Sequence, residues 1–240
     1  MTDHPKQPDA ARLLYDLRHS DDLKQQPVAG VALDPRLALL RTWQSQRLAR
    51  TYADLLADPR SGPACRFFLS DIYAPRDFSQ RDHDVERIYA FLSRVLPAQT
   101  LQLLSDVIAL NHLTNALDAD LCRALVDQLG VTDTITPERY AAGYRICAND
   151  TERARQIDLI ARVLAQVGAG ARLGVVGLAM KLARGPACRA GWVELYDFLE
   201  RGYAAFKQLH DVQRFVATIA QRERRILDQI FAGYPDPFSV

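Results

Sequence analysis

Histidine, cysteine and the acidic residues are the side chains through which this chain could hold a metal or move a proton, and their spacing limits the chemistry open to it. His83-Asp84 and His210-Asp211 are adjacent imidazole–carboxylate pairs, with His19 upstream of the first and His112 upstream of the second. Two imidazoles and carboxylates brought to one point suit a divalent metal. His112 also stands with Asn115 three residues on, Asp106 upstream and Asp118 downstream, an arrangement able to orient a ligand or meet a haem iron. A metal- or haem-dependent reading therefore centres on His83, Asp84 and His112. Each has an ordinary structural role too. Acidic residues in the first turn of a helix favour its macrodipole, and a histidine in mid-helix is commonly a hydrogen-bonded, partly buried group.

Several other centres lack the residues they need. A carboxylate di-metal bundle wants Glu-x-x-His on one helix face, and none of the six glutamates has histidine three residues later. Cys65, Cys122, Cys147 and Cys188 are scattered without a C-x-x-C pair, which argues against a zinc site or a compact disulfide framework. No Gly-x-Ser-x-Gly nucleophile elbow occurs. The glycines at 168, 170 and 174 lack the preceding strand and the Lys-Ser/Thr ending of a phosphate loop.

Binding is better represented. Arg145, Arg153 and Arg155 bracket the Asn149-Asp150 turn, Lys181, Arg184 and Arg189 flank Gly185-Pro186, and Arg222, Arg224 and Arg225 share the last helix. A guanidinium suits a phosphate or carboxylate. Arg145 and Arg153, with Tyr73 and Asp71, are the candidate ligand-binding residues. Arg outnumbers Lys 26 to 4, a bias that a GC-rich bacterial genome also produces. The net charge of +1 gives no bulk reason to expect nucleic acid or an anionic membrane as partner. The opening residues are polar and lack the apolar core expected of a secretory signal, and the most apolar stretch, 163–180, is too short and too polar for a span. These features suggest a reducing cytoplasm.

These residues must be positioned by helices. Asp34-Pro35, Ser61-Gly62-Pro63, Ser79, Pro97, Thr136-Pro137 and Asp150-Thr151 are start signals, while Pro75, Gly130 and Gly185-Pro186 are stops. Between them apolar residues recur at helical spacing, as in Leu37, Leu40, Trp43, Leu48, Tyr52 and Leu55. No bounded alternating run supports a strand. The pattern predicts an all-α, single-domain bundle of about eight or nine helices over residues 31–240, with a polar arm over 1–30. Two helices are expected either side of Asp118, Gly168 and Gly170 are expected to break another, and Leu173–Leu182, apolar on nearly all sides and flanked by glycine, is expected at the centre.

The segment Phe67-Phe68-Leu69-Ser70-Asp71-Ile72-Tyr73 resembles a bacterial family named for a Phe-Phe-Leu-Glu-Glu-Leu-Tyr motif. The likeness extends to Thr136–Tyr140, Arg153–Ile160, Arg184–Ala187 and Phe198–Gly202 with Phe206. Ser70-Asp71-Ile72 replaces Glu-Glu-Leu here, so a role of both glutamates would not carry over. The resemblance implies a bacterial origin and no particular reaction. The metal reading resembles HD phosphohydrolases in its His-Asp dipeptides, and haem-oxygenase-like proteins in its histidine and glycine-punctuated helix. The leading expectation is a non-catalytic binding or regulatory protein for a protein partner or a small ligand. The metal or haem enzyme is the alternative, and a homo-oligomeric structural subunit a third reading.

Overall fold

Asp34 opens the first helix as its sequence signal requires: its Oδ1 accepts from Arg36 N at 2.8 Å, and Pro35 follows at the first helical position. The computed structural model describes residues 33–73, 79–92 and 98–240. The expected arm over 1–30, His19, Pro75 and Pro97 lie outside them. The helices are α1 Pro35–Thr51, α2 Ala53–Ala57, α3 Gly62–Phe67, α4 Ser79–Leu92, α5 Ala98–Arg123, α6 Pro137–Cys147, α7 Asp150–Ala171, α8 Gly174–Ala190, α9 Val193–Lys207 and α10 Val212–Phe231. Single π-turns, Phe68–Ile72 and Ala124–Gln128, extend α3 and α5. The fold is all-α, with no strand among the described residues.

α7 is the organising element, packed against α5 and α10 and also touching α9. Its neighbour α5 runs antiparallel to it, because Thr114 meets Gln156, Asp106 meets Gln166 and Leu117 meets Arg153 in reverse order. Buried apolar side chains form two main clusters. One gathers Phe67, Leu164, Phe206 and Phe215. The other gathers Leu40, Trp43, Leu121, Leu125 and Tyr140, with Trp43 stacked on Tyr140 at 3.9 Å between ring centroids.

Four expectations are corrected. The apolar stripe from Leu37 to Leu55 predicts one long helix to about Asp58, but it pauses at Tyr52 before α2 resumes to Ala57. The two helices expected either side of Asp118 are one, α5 with its π-turn, and Gly130 at φ +63° closes it. Gly168 and Gly170 lie inside α7 rather than breaking it. Gly168 is there for proximity: a Cβ on it would lie 2.5 Å from Val212 Cγ1, so α7 and α10 approach closely only without one.

The fourth correction concerns the apolar helix. α8 is glycine-flanked and apolar, as expected, but it is peripheral and has no buried residue. It leaves α7 at a bend of 87°. It also continues through Pro186 to Ala190, where left-handed Gly191 stops it and Trp192 N donates to Ala187 O at 2.9 Å. No single described helix is long and apolar enough to cross a membrane.

Candidate functional site

Between the helices lies a cavity of about 580 Å³, within the range of small-molecule sites. Its walls are graded. Towards the C-terminal half of α7 they are Ile160, Val163, Leu164 and Val167; facing these, the N-terminal half of α5 supplies Leu101, Leu104, Val107 and Ile108. Towards the N-terminus of α7 the wall becomes polar, with Arg153 and Gln156, and α5 correspondingly contributes Asn111, Thr114 and Asp118. Antiparallel packing thus places two apolar halves together and two polar halves together. At 1.5 Å per residue, α7 carries the wall over about 21 Å from Arg153 to Val167.

The polar end draws on five helices. Gln44 and Arg47 come from α1, Asp118 from α5, Tyr140 and Tyr144 from α6, Arg153 and Gln156 from α7, and Glu223 from α10. Arg47 Nη1 donates to Glu223 Oε1 at 2.5 Å, and Tyr52 OH donates to the same oxygen at 2.7 Å. Arg153 donates from Nη2 to Leu117 O at 2.9 Å and from Nη1 to Gln156 Oε1 at 3.3 Å. Its guanidinium carbon sits 4.4 Å from the centroid of Tyr144, a cation–π distance. Gln44 Nε2 donates to Asp118 Oδ1 at 3.0 Å, and Arg153 Nη1 lies 3.9 Å from that oxygen.

Several polar atoms here lack partners. Gln44 Oε1, Arg47 Nε and Arg153 Nε are buried without a hydrogen bond. The three residues are 5%, 8% and 3% exposed and all line the cavity. A buried polar atom left unpaired costs roughly 1–3 kcal/mol, so three at one end of a cavity are a costly arrangement for a purely structural core. Two are cationic N–H donors, which an anionic or strongly accepting head group would satisfy.

Burial sets the protonation of this end. It pulls the Arg47 guanidinium down, but the Glu223 carboxylate and their hydrogen bond leave it above its ordinary value. Burial likewise raises the Asp118 carboxyl above its usual range, with Arg153 and the Gln44 hydrogen bond acting against the rise. The Tyr52, Tyr73 and Tyr140 hydroxyls are pushed up, chiefly by burial, and stay neutral donors.

The residues singled out from sequence divide. Arg153 and Tyr73 line the cavity; Arg145 and Asp71 do not. Arg145 Nη1 donates to Ile230 O at 3.0 Å, capping the end of α10. Asp71 is buried, accepting from Ser70 Oγ at 2.7 Å and Arg201 Nε at 2.8 Å, while Arg81 Nη1 donates to its carbonyl. It ties the π-turn after α3 to α4 and α9.

The metal candidates sit elsewhere. His112 Nε2 is 2.8 Å from Glu86 Oε1 in an exposed pair. Asp84 is fully buried and accepts from Gln80 Nε2 at 2.9 Å, while His83 is half-buried. No described histidine lines the cavity, and among the described residues no three His, Cys, Asp or Glu side chains gather as a metal would need.

Sequence reading missed Gln44, Arg47, Gln156 and Glu223. A signal was present for three of them. Gln44 lies midway in the Leu40–Leu48 stripe and Arg47 one turn beyond Trp43, while Gln156 stands four residues before Ile160. A polar residue inside an apolar stripe must be satisfied indoors. Glu223, in the Arg-rich turn of α10, carried no comparable mark.

No curated protein and no solved structure matches the chain. A family model described as a domain of unknown function (DUF8198) matches residues 24–237, and the chain belongs to that family.

Proposed function

We propose that this protein is a non-catalytic binding protein whose interhelical cavity holds one elongated amphiphilic small molecule. The apolar part lies along Ile160, Val163, Val107 and Leu104, and the polar, preferably anionic, head meets Arg47, Arg153 and Gln44. The observation that carries this reading is the set of unpartnered buried atoms on those three residues, at one end of a cavity apolar at the other. The segment resembling the Phe-Phe-Leu-Glu-Glu-Leu-Tyr motif supports it, since Phe67, Phe68, Leu69, Ile72 and Tyr73 all line the cavity. In this reading the motif builds a wall and performs no reaction, so Ser70 in place of glutamate is no loss. A bacterial cytoplasm, where the scattered cysteines stay reduced, is the proposed setting. The metal or haem alternative draws no comparable support from His83, Asp84 and His112.

The test uses 1-anilinonaphthalene-8-sulfonate, whose fluorescence rises in an apolar site. Saturable one-site binding is expected, with displacement by dodecanoate about tenfold stronger than by dodecanol, a difference of about 1.4 kcal/mol. Arg153→Met is expected to narrow that difference. Absence of saturable binding, or equal displacement by acid and alcohol, would sink the proposal.

A further inference from the structure

α8 presents an apolar face to solvent that nothing among the described residues covers. Leu173 just before it and Val175, Leu178 and Leu182 along it are 56%, 68%, 59% and 57% exposed. The last three fall at i, i+3 and i+7, so they share one face. The opposite face rests on the bundle: Met180 O accepts from Tyr196 OH at 3.0 Å, and a Cβ on Gly177 would meet Tyr203 OH at 2.5 Å.

Along the sequence the charge through α8 is one-sided. Between Asp158 and Glu194 the chain has no acidic residue, while Arg162, Arg172, Lys181, Arg184 and Arg189 are all cationic. A net charge of +1 for the whole chain therefore conceals a local excess of five. Lys181, Arg184 and Arg189 are exposed, and none forms an ion pair with a carboxylate among the described residues. On the helical wheel Lys181 borders the Val175, Leu178 and Leu182 face and Arg189, seven residues after Leu182, falls within it. An exposed apolar stripe bordered by unpaired cations matches the chemistry of an anionic lipid surface: aliphatic tips enter the boundary of the acyl layer while long basic side chains reach head-group phosphates.

We propose that α8 docks this protein, peripherally and reversibly, on membranes bearing anionic head groups. The basis for choosing a membrane over a second copy is charge. A two-fold interface would set the same cations against each other, and like charges brought together oppose association. The docking stands independently of the cavity reading. One feature links them: Leu199 on α9, the helix that α8 packs on, is exposed and also lines the cavity, so an amphiphile drawn from the lipid surface would have an apolar entrance beside the docked helix.

Co-sedimentation of the full chain with vesicles tests this. Binding is expected to phosphatidylcholine vesicles containing phosphatidylglycerol, to weaken steeply with salt, and to be far weaker on phosphatidylcholine alone. Lys181→Glu with Arg189→Glu, and separately Leu178→Asp with Leu182→Asp, should each lower the partition coefficient at least about tenfold. These side chains are exposed, so circular dichroism and the melting temperature should be unchanged. Sulfonate-probe binding in the cavity should survive both pairs, which separates failure of the docking from failure of the cavity. Equal partition onto neutral and anionic vesicles, or none onto either, would overturn the proposal without any variant. So would a concentration-dependent dimer in sedimentation equilibrium that Leu178→Asp disperses while vesicles fail to bind.

Discussion

Asp118 is the residue at which burial, charge and ligand binding meet. Its carboxyl is held above the usual range by burial, while Arg153 at 3.9 Å and the Gln44 amide favour the ionised form. Between the ordinary carboxylate value of 3.8 and its raised value, the folded protein binds a proton that the unfolded chain does not. Stability therefore falls as pH rises through that window and gains as pH falls through it. An anion bound beside Arg153 raises the same carboxyl further, so binding takes up a proton. Affinity for the permanently charged sulfonate probe should strengthen as pH falls through the window between that carboxyl's values in the bound and the free protein, by up to about tenfold for each pKa unit the bound anion adds. Asp118→Asn should leave probe affinity flat across that range, and fluorescence titration with urea unfolding at matched pH checks both halves. Constant wild-type affinity would place Asp118 outside the reach of the head group. Asp118 was visible in the sequence only as a neighbour of His112. Its partners Gln44 and Arg153 lie 74 and 35 positions away, and packing alone brings them together.

At the scale of elements, punctuation was legible where a cap closes a local hydrogen bond and failed where packing decided. Thr136-Pro137 starts α6 with Thr136 Oγ1 accepting from Arg139 N, whereas Asp211, noted in the sequence only as half of the His210-Asp211 pair, caps α10 by accepting from Arg214 N. Both are local signals. The glycines of α7 read as breakers because glycine is a poor helix former, yet Gly168 is kept by the tight crossing with α10. Gly168→Ala should remove the glycine penalty but force a methyl to 2.5 Å from Val212 Cγ1. Val212 is β-branched and stiff about χ1, so the clash should win. We expect a net loss of about 1–3 kcal/mol, recovered largely by Val212→Ala in the same chain, because the pair is in contact and its effects should not add. Additive effects in thermal melts would show that the crossing does not depend on this pair. α8 misled for the reverse reason: an apolar stretch reads as buried, and sequence periodicity cannot show whether the burial is against protein.

For the molecule as a whole, helix count and class follow from local patterns, but an unfilled interior does not. Every apolar side chain that lines the cavity would read identically in a packed core. The difference is testable by adding atoms. In a close-packed interior an extra ring costs typically about 1–3 kcal/mol in strain. Beside a space of about 580 Å³ it should instead gain apolar contact. Val163→Phe, on the apolar wall of α7, is therefore expected to hold or raise the melting temperature while weakening dodecanoate at least about tenfold. In the unsubstituted protein, dodecanoate at a hundred times its dissociation constant should add about 2.7 kcal/mol of stability, or roughly 5–10 °C for a chain of this size. Val163→Phe at the same concentration should show no more than about half of that rise. If it instead melts several degrees lower and keeps the full ligand-induced shift, the interior at Val163 is packed and the ligand lies elsewhere. If it melts no lower and loses about half of the shift or more, the space between α5 and α7 is where the amphiphile binds.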